Sequence, residues 1–148
     1  MLKIGDIAPA FSGIDQDGNP ITLDQFKGKK IVLYFYPKAN TPGCTAEACN
    51  LNDNFEKFQA LGYQIIGVSA DPVKAQKNFA EKYQLKFPLI ADTNKEIIKA
   101  YGAWGKKSMY GKEYEGIMRY TFIIDENHTI TDIITKVDTK NHTSQILK

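Results

Sequence analysis

The sequence predicts an α/β protein in which a central mixed β-sheet is flanked by helices and preceded by an N-terminal β-hairpin. Residues 31–36, IVLYFY, form a continuous apolar, β-branched and aromatic run, which is typical of a strand buried on both faces of a parallel or mixed sheet. After this run, strand-like and helix-like segments alternate, as they do in sheets with crossover helices. Before it, two short apolar segments flank a turn-forming cluster at residues 15–20, and this pattern predicts the hairpin.

The elements follow in order along the chain. The hairpin strands are predicted at residues 10–14 and 21–23, and the buried strand follows at 31–36. A helix is predicted from Pro42 to Leu61, because apolar residues recur at three-and-four spacing and Gly62 then ends it. The remaining predicted elements are a strand at 63–69, a helix from 71 to 83, a short strand near 89–90, a helix at about 94–101, a second hairpin with strands 120–125 and 129–137, and a short helix at about 141–148.

The composition predicts one domain, spanning residues 1–148, and argues against several classes of protein. With 148 residues and 43% hydrophobic content, the chain can bury a sizeable core, and no repeat or low-complexity linker interrupts it. The net charge of +2 is too small and too scattered for nucleic-acid binding. No apolar stretch approaches the ~20 residues of a membrane span, and no signal peptide opens the chain, so a cytoplasmic location is expected.

The only two cysteines, Cys44 and Cys49, follow the buried strand at its crossover into the long predicted helix. In open α/β sheets, functional sites gather at the carboxyl ends of strands, beside helix N-termini. The free N–H groups and the positive dipole end of a helix favour the anion of a thiol in the first turn. Cys44 is therefore a candidate nucleophile.

The spacing of the two cysteines limits what they can do together. On an ideal helix their Cα atoms lie about 8.6 Å apart, and a disulfide spans Cα atoms up to ~7 Å apart. A bond between Cys44 and Cys49 therefore requires the helix to unwind, and the spacing predicts a conformational redox cycle.

Three alternatives compete: small buried hydrophobes, which Cys49 alone could be; a structural disulfide of a secreted protein; and a metal site. The metal site is disfavoured because there is no Cys-x-x-Cys spacing and because His128 and His142 are distant, predicted to be turn and surface residues.

Arg119 is the only arginine in the chain and directly precedes the predicted strand at 120–125. Its planar guanidinium could lower the pKa of a nearby thiol and donate two hydrogen bonds to a small polar substrate. The alternative is a surface arginine on an edge strand. The Thr41 hydroxyl could cap the helix or donate a hydrogen bond to a bound oxygen. Pro42 suits a first helical turn because its missing N–H would have no partner there.

The pattern Pro37-x-x-x-Thr41-x-x-Cys44, together with Arg119, resembles the active site of the peroxiredoxins, which are thiol peroxidases of thioredoxin-like fold. Residues 34–38, 44–49, 104–112 and 116–125 are similar to the bacterioferritin comigratory protein, or Q-type, subgroup, and the resemblance covers nearly the whole chain. It implies that Cys44 is the peroxidatic cysteine and Cys49 the resolving cysteine. It also implies a peroxide pocket shaped and polarised by Pro37, Thr41, Gly43 and Arg119. At Asn52 and Asp53 the chain departs from members that carry arginine just past the resolving cysteine.

The resemblance further implies an antioxidant enzyme that reduces hydrogen peroxide and organic hydroperoxides. Cys44 would become a sulfenic acid, Cys49 would resolve it as an intramolecular disulfide, and thioredoxin would be the expected reductant, with glutaredoxin or glutathione as other possibilities. No metal or other cofactor is expected, because sulfur carries both electrons and the chain has no Gly-rich phosphate-binding fingerprint. The expected assembly is a monomer or a weak homodimer.

Two other functions remain open at the level of sequence. A thioredoxin-like thiol-disulfide oxidoreductase is disfavoured because such enzymes use Cys-x-x-Cys. A peroxide sensor or holdase-like binding module would oxidise Cys44 without turnover as its purpose. Exposed aromatic residues could mark a partner surface or simply cover the edge of the sheet; they lie in the Gly-rich segment that holds Trp104, Met109, Tyr110 and Tyr114.

Overall fold

A computed structural model describes residues 2–148 and has the predicted α/β architecture. Its strands are β1 (Ser12–Ile14), β2 (Pro20–Thr22), β3 (Lys30–Phe35), β4 (Tyr63–Ser69), β5 (Leu89–Ala91), β6 (Trp104–Met109), β7 (Lys112–Ile117), β8 (Thr121–Ile124) and β9 (Ile130–Ile134). Its helices are α1 (Pro42–Asp53), α2 (Phe55–Ala60), α3 (Val73–Lys82), α4 (Glu96–Ala100) and α5 (His142–Ile146), and a 3₁₀ turn covers Leu23–Phe26.

The central sheet has five strands in the order β5-β4-β3-β8-β9. The pairs β3–β4 and β4–β5 are parallel, whereas β3–β8 and β8–β9 are antiparallel, so the sheet is mixed as predicted. Strand β3 lies in the middle, and its residues 31–35 are fully buried. Alternate side chains of β3 enter two separate apolar layers, one on each face of the sheet, which explains the continuous apolar run.

The single predicted helix from Pro42 to Leu61 is in fact two helices, α1 and α2, separated at Asn54. The Asn54 side chain donates from Nδ2 to the carbonyl of Asn50 (2.8 Å), which would otherwise accept the next helical N–H. The backbone N–H of Asn54 instead donates to the carbonyl of Leu51 (3.2 Å). Local bonding of this kind by asparagine competes with the helical pattern and ends α1.

A hairpin formed by β6 and β7 was not predicted from the sequence. Its strands are mostly exposed and carry charged residues, so they lack the apolar alternation that marks a half-buried strand. Tyr110 and Gly111 form its turn with φ of 53° and 79°, a pairing of left-handed residues that matches strand twist in two-residue hairpin loops. The hairpin leads through Ile117 to Arg119, just before β8.

The other predicted elements are present with bounds that differ by at most a few residues; β4 has the predicted bounds, and β5 is one residue longer than predicted. The predicted strand at 129–137 is β9, the predicted helix at 94–101 is α4, and the predicted tail helix is α5. No helix in the part of the chain from residue 2 onward is long and apolar enough to cross a membrane.

Candidate active site

Cys44 is the third residue of α1, in the first turn, where the backbone N–H groups have no partner within the helix. Thr41 precedes α1 with extended backbone angles (φ −96°, ψ 158°), and Pro42 occupies the first helical position as predicted. The prediction that the Thr41 hydroxyl caps the helix is wrong. That hydroxyl donates to the carbonyl of Lys38 (2.8 Å) because the loop turns back on itself before α1 begins.

The loop between β3 and α1 is held by polar groups that the sequence did not reveal. The Ala39 N–H donates to Asp71 Oδ2 (2.7 Å), which also accepts from the hydroxyl of Ser69 (2.6 Å). Gln76 donates from Nε2 to Ser69 Oγ (2.8 Å) and accepts a hydrogen bond from the Tyr36 hydroxyl. Ser69 and Asp71 lie at the end of β4 and Gln76 lies in α3, so this strand end and this helix together fix the loop that carries Thr41.

Arg119 lies directly against the thiol. Its Nη1 donates to Cys44 Sγ at 3.4 Å, and Cys44 is only 1% exposed. A Cβ atom at Gly43 would lie 3.2 Å from Arg119 Nη2, so the glycine allows the guanidinium to approach the helix closely. Arg119 leads into β8, an interior strand between β3 and β9, and the alternative of a surface arginine on an edge strand is therefore wrong.

Glu47 is a further residue of this site and was not identified from the sequence. It is fully buried in α1, and its Oε1 accepts from Arg119 Nη1 at 2.9 Å. Burial raises the pKa of Glu47 to about 7, although the charge and the hydrogen bond of Arg119 act in the opposite direction. Burial opposes the charge on Arg119, but Cys44 and Glu47 outweigh it and raise the Arg119 pKa. One guanidinium nitrogen therefore serves both the thiol and a buried carboxyl.

The prediction that His142 is a surface residue is wrong, because α5 packs against α1 and buries the ring completely. His142 Nε2 lies 2.8 Å from Thr121 Oγ1 and 3.4 Å from Glu47 Oε2, and its Nδ1 lies 2.7 Å from Gln145 Oε1. Burial lowers the pKa of His142. Arg119 thus binds one oxygen of Glu47, while the other oxygen, Oε2, is buried beside His142 without a hydrogen-bond partner among the described residues. His128, as predicted, lies in the turn between β8 and β9.

Cys49 lies further along α1 and is partly exposed, and both cysteines are free thiols. Burial, followed by the carboxylate of Asp53, raises the pKa of Cys49. Continuous helix from Pro42 to Asp53 keeps the two thiols on different faces, as their spacing predicted. Asn52, where the sequence differs from Q-type members with arginine, binds the segment after α3. Its Nδ2 donates to the Gln84 carbonyl (3.1 Å), and its Oδ1 accepts from the Lys86 N–H (2.9 Å).

Pro37 is half-buried at the end of β3 and directs the chain into the loop before Thr41. The structure thus brings Thr41, Gly43, Cys44 and Arg119 to one end of the sheet, with Cys49 in the same helix. No group of three or more histidine, cysteine, aspartate or glutamate side chains that could hold a metal occurs among residues 2–148.

Comparison with known proteins gives a consistent family. The sequence model of the AhpC/TSA family matches residues 4–133. Peroxiredoxin Bcp of Escherichia coli (strain K12) is 43% identical over 146 residues, covering 99% of this chain and 94% of that protein. A putative peroxiredoxin bcp of Haemophilus influenzae is 40% identical over 146 residues, with 99% and 94% coverage.

Two solved structures support the same assignment. Peroxidoxin BcpB from Mycobacterium tuberculosis superimposes with a TM-score of 0.88 at 34% identity, covering 99% of this chain and 95% of that chain. A PrxQ mutant from Xylella fastidiosa superimposes with a TM-score of 0.93 at 31% identity, covering 99% and 94%. The fold is accordingly the predicted thioredoxin-like one. With a buried thiol against a guanidinium at a helix N-terminus and relatives along its whole length, the chain belongs to the AhpC/TSA family as a peroxiredoxin of the Bcp or PrxQ type, a thiol peroxidase.

Proposed function

We propose that this peroxidase reduces hydrogen peroxide and organic hydroperoxides through a Cys44 sulfenic acid that Cys49 resolves, and that thioredoxin restores the dithiol. The observation that carries the proposal is the 3.4 Å hydrogen bond from Arg119 Nη1 to Cys44 Sγ in the first turn of α1. A cation and a helix N-terminus both favour the thiolate, which is the nucleophilic form of cysteine.

In the first step, the Cys44 thiolate attacks the terminal oxygen of the hydroperoxide, and the O–O bond breaks. The departing oxygen takes a proton and leaves as water or an alcohol, while Cys44 becomes a sulfenic acid. Arg119 stabilises negative charge on the departing oxygen. The Thr41 hydroxyl donates its hydrogen bond to the Lys38 carbonyl, so its lone pairs remain able to accept a hydrogen bond from the hydroperoxide. The residues proposed to form the pocket are Pro37, Thr41, Gly43 and Arg119.

In the second step, α1 unwinds and the thiol of Cys49 attacks the sulfenic sulfur. The S–S bond forms, the S–O bond breaks, and water leaves. The raised pKa of Cys49 keeps this thiol protonated, and so unreactive toward peroxide, until it meets the sulfenic acid. The product is an intramolecular disulfide that protects Cys44 from further oxidation.

A dithiol reductant completes the cycle by exchange with the disulfide. Thioredoxin suits this step because its low reduction potential favours transfer of electrons to a strained or exposed disulfide. A reducing compartment such as the cytoplasm belongs to the same proposal, because free thiols persist there. The chain would act as one domain and as a monomer or weak homodimer.

The proposal is tested by peroxide turnover with thioredoxin, thioredoxin reductase and NADPH. The parent protein is expected to consume NADPH in proportion to peroxide, and Cys44→Ser should abolish turnover. Cys49→Ser should form one sulfenic acid per chain, detected by mass spectrometry, without an intramolecular disulfide. Full turnover by Cys49→Ser with thioredoxin would refute the role of Cys49.

The same assay separates the other two functions. Survival of peroxide beside near-stoichiometric reduced protein, with reduction of insulin disulfides, would identify a thiol-disulfide oxidoreductase instead. A single oxidation of Cys44 that changes binding to a client protein, without sustained NADPH consumption, would identify a sensor.

A further inference from the structure

A lysine of the β6–β7 hairpin binds the chain segment that carries Arg119. Lys107 lies in β6, opposite Tyr114 of β7, and its side chain is half-buried. Its Nζ donates to the backbone carbonyl of Ile117 at 2.6 Å. Ile117 is buried at the end of β7, and Arg119 follows it by two residues. A charged donor therefore ties the hairpin to the segment from which Arg119 extends.

Two glycines leave room for this lysine along the hairpin. Gly105 and Gly116 lie directly opposite each other, on the same face as Lys107. A Cβ atom at Gly116 would lie 3.1 Å from Lys107 Cδ, so the lysine side chain passes over the position where another side chain would stand. The absence of a side chain at Gly116 therefore lets Lys107 lie flat against the hairpin and reach the carbonyl of Ile117.

The two neighbours of Arg119 are fixed by backbone hydrogen bonds. The Met118 N–H donates to the Ala103 carbonyl (2.7 Å), and the Tyr120 carbonyl accepts from the Phe35 N–H (2.8 Å) in the central sheet. The hydrogen bond from the hairpin lysine fixes the chain one residue before Met118. Together these bonds define the point from which the Arg119 side chain extends to the thiol.

The ammonium of Lys107 also lies within electrostatic reach of the site. Burial lowers the pKa of Lys107, and the positive charge of Arg119 lowers it further, whereas Cys44 acts in the opposite direction. Because like charges repel, the ammonium opposes movement of the guanidinium toward the hairpin. It thereby favours the position in which Arg119 binds Cys44 and Glu47.

We propose that Lys107 is a positioning residue of the peroxidase, which holds Arg119 where the guanidinium stabilises the departing oxygen of the hydroperoxide. This inference rests on the role of Arg119 in the proposed function. A displacement of about 1 Å at a reacting site can lower a rate by about 100-fold, even when the change is made elsewhere. Loss of Lys107 should therefore slow the reaction with peroxide more than a reaction of the same thiol that needs no donor at the departing group.

The expected effect follows from the hydrogen bond that each variant keeps or loses. Lys107→Met removes the ammonium but keeps an unbranched stem, and it should lower the second-order rate constant for hydrogen peroxide about tenfold, corresponding to one lost hydrogen bond from a charged donor. Lys107→Arg keeps a long cationic donor and should stay within about threefold of the parent. Lys106→Met is the matched control, because Lys106 is exposed and points to the opposite face of the hairpin.

The measurement uses a Cys49→Ser background, in which Cys44 is the only thiol. Rapid quenching and intact mass spectrometry follow the conversion of Cys44 to the sulfenic acid by hydrogen peroxide. In parallel, iodoacetamide alkylates the same thiolate, and its iodide leaving group requires no proton. Lys107→Met should lower the alkylation rate constant less than about threefold, against about tenfold for peroxide.

A double variant tests whether Lys107 acts through Arg119. Once Arg119 is replaced by lysine, Lys107→Met should slow the peroxide reaction little further, because the group that it positions is already lost. An equal loss in both backgrounds would overturn the inference, since it would show that Lys107 acts independently of Arg119.

The remaining outcomes separate this inference from the proposed function. Equal losses in the peroxide and alkylation reactions of Lys107→Met would rule out a positioning role, because they would show a general effect on the thiol or the fold. If Arg119→Lys slows the peroxide reaction and Lys107→Met does not, the inference fails and the proposed function stands. If Arg119→Lys leaves the peroxide reaction unchanged, the proposed role of Arg119 fails and the inference fails with it.

Discussion

Glu47→Gln should remove a pH-dependent loss of stability that the parent protein shows. Glu47 is fully buried, and burial raises its pKa from 4.5 to about 7 despite the hydrogen bond from Arg119. A carboxyl with a raised pKa in the folded state stabilises that state while it is protonated. The stabilisation is complete below the unfolded-state pKa near 4.5 and is lost as the pH rises to about 7.

The size of the effect follows from the two pKa values. Ionisation of the buried carboxyl costs about 3 kcal/mol of the free energy of unfolding, at ~1.4 kcal/mol for each tenfold change in proton affinity. His142 acts in the opposite direction, because burial lowers its pKa and its contribution rises with pH up to 6.5. Since both proteins contain His142, the difference between their unfolding free energies reports mainly on Glu47.

The assay is urea denaturation of the reduced parent and the reduced Glu47→Gln variant over this pH range. The variant should gain about 3 kcal/mol on the parent between about pH 4.5 and pH 8. Glu113→Gln, which removes an exposed carboxylate in β7, is the matched control. If the unfolding free energy of the variant instead falls relative to that of the parent as the pH rises, the reasoning is refuted. That result would mean that Arg119 outweighs burial and holds the Glu47 pKa below its ordinary value.

Two further substitutions test the site and the sheet. Arg119→Lys keeps the charge but loses the forked guanidinium that reaches Cys44. The second-order rate constant for peroxide reduction should fall about 10- to 100-fold, corresponding to one lost hydrogen bond to a charged group. An unchanged rate constant in stopped-flow measurements would contradict this, and unfolding curves control for a loss of stability. Gly67→Ala should destabilise the protein by ~1–3 kcal/mol, because the new Cβ would lie 2.8 Å from Leu89 Cδ2 and 3.0 Å from the Tyr34 hydroxyl; a denaturation midpoint equal to that of the parent would show that β4 and β5 can separate freely.

The sequence was sufficient to predict the sheet and the crossover, whereas the placement of Arg119 beside Cys44 was implied only by the resemblance to the peroxiredoxins. Residues 31–36 are buried on both faces of the sheet, so every side chain in this run is apolar or aromatic and the strand is recognisable from the sequence. Cys44 and Arg119 stand out because each is rare in this chain and chemically distinct. Glu47 could have been found from its position, since a residue three places after Cys44 lies on the same helix face.

The contacts of His142 could not be predicted in the same way. The burial of His142 depends on where α5 packs against α1 and the sheet. The local sequence at 141–148 does not indicate that packing position. The β6–β7 hairpin was missed for a related reason: its strands place charged residues opposite each other, as with Lys106 and Glu115, so they lack an apolar face. Long-range packing and pairing of polar residues between strands are difficult to predict from a single sequence.

In the proposed cycle, the two ends of α1 respond to different events. At the N-terminal end, oxidation converts a Cys44 thiolate into a neutral sulfenic acid, so the hydrogen bond from Arg119 loses its charged acceptor and weakens. Arg119 still holds Glu47 at 2.9 Å, and the other end of α1 stays tied to α5 through Asn50. Oxidation of Cys44 therefore weakens only the contact at the first turn, and formation of the disulfide requires a separate movement of the Cys49 end of α1.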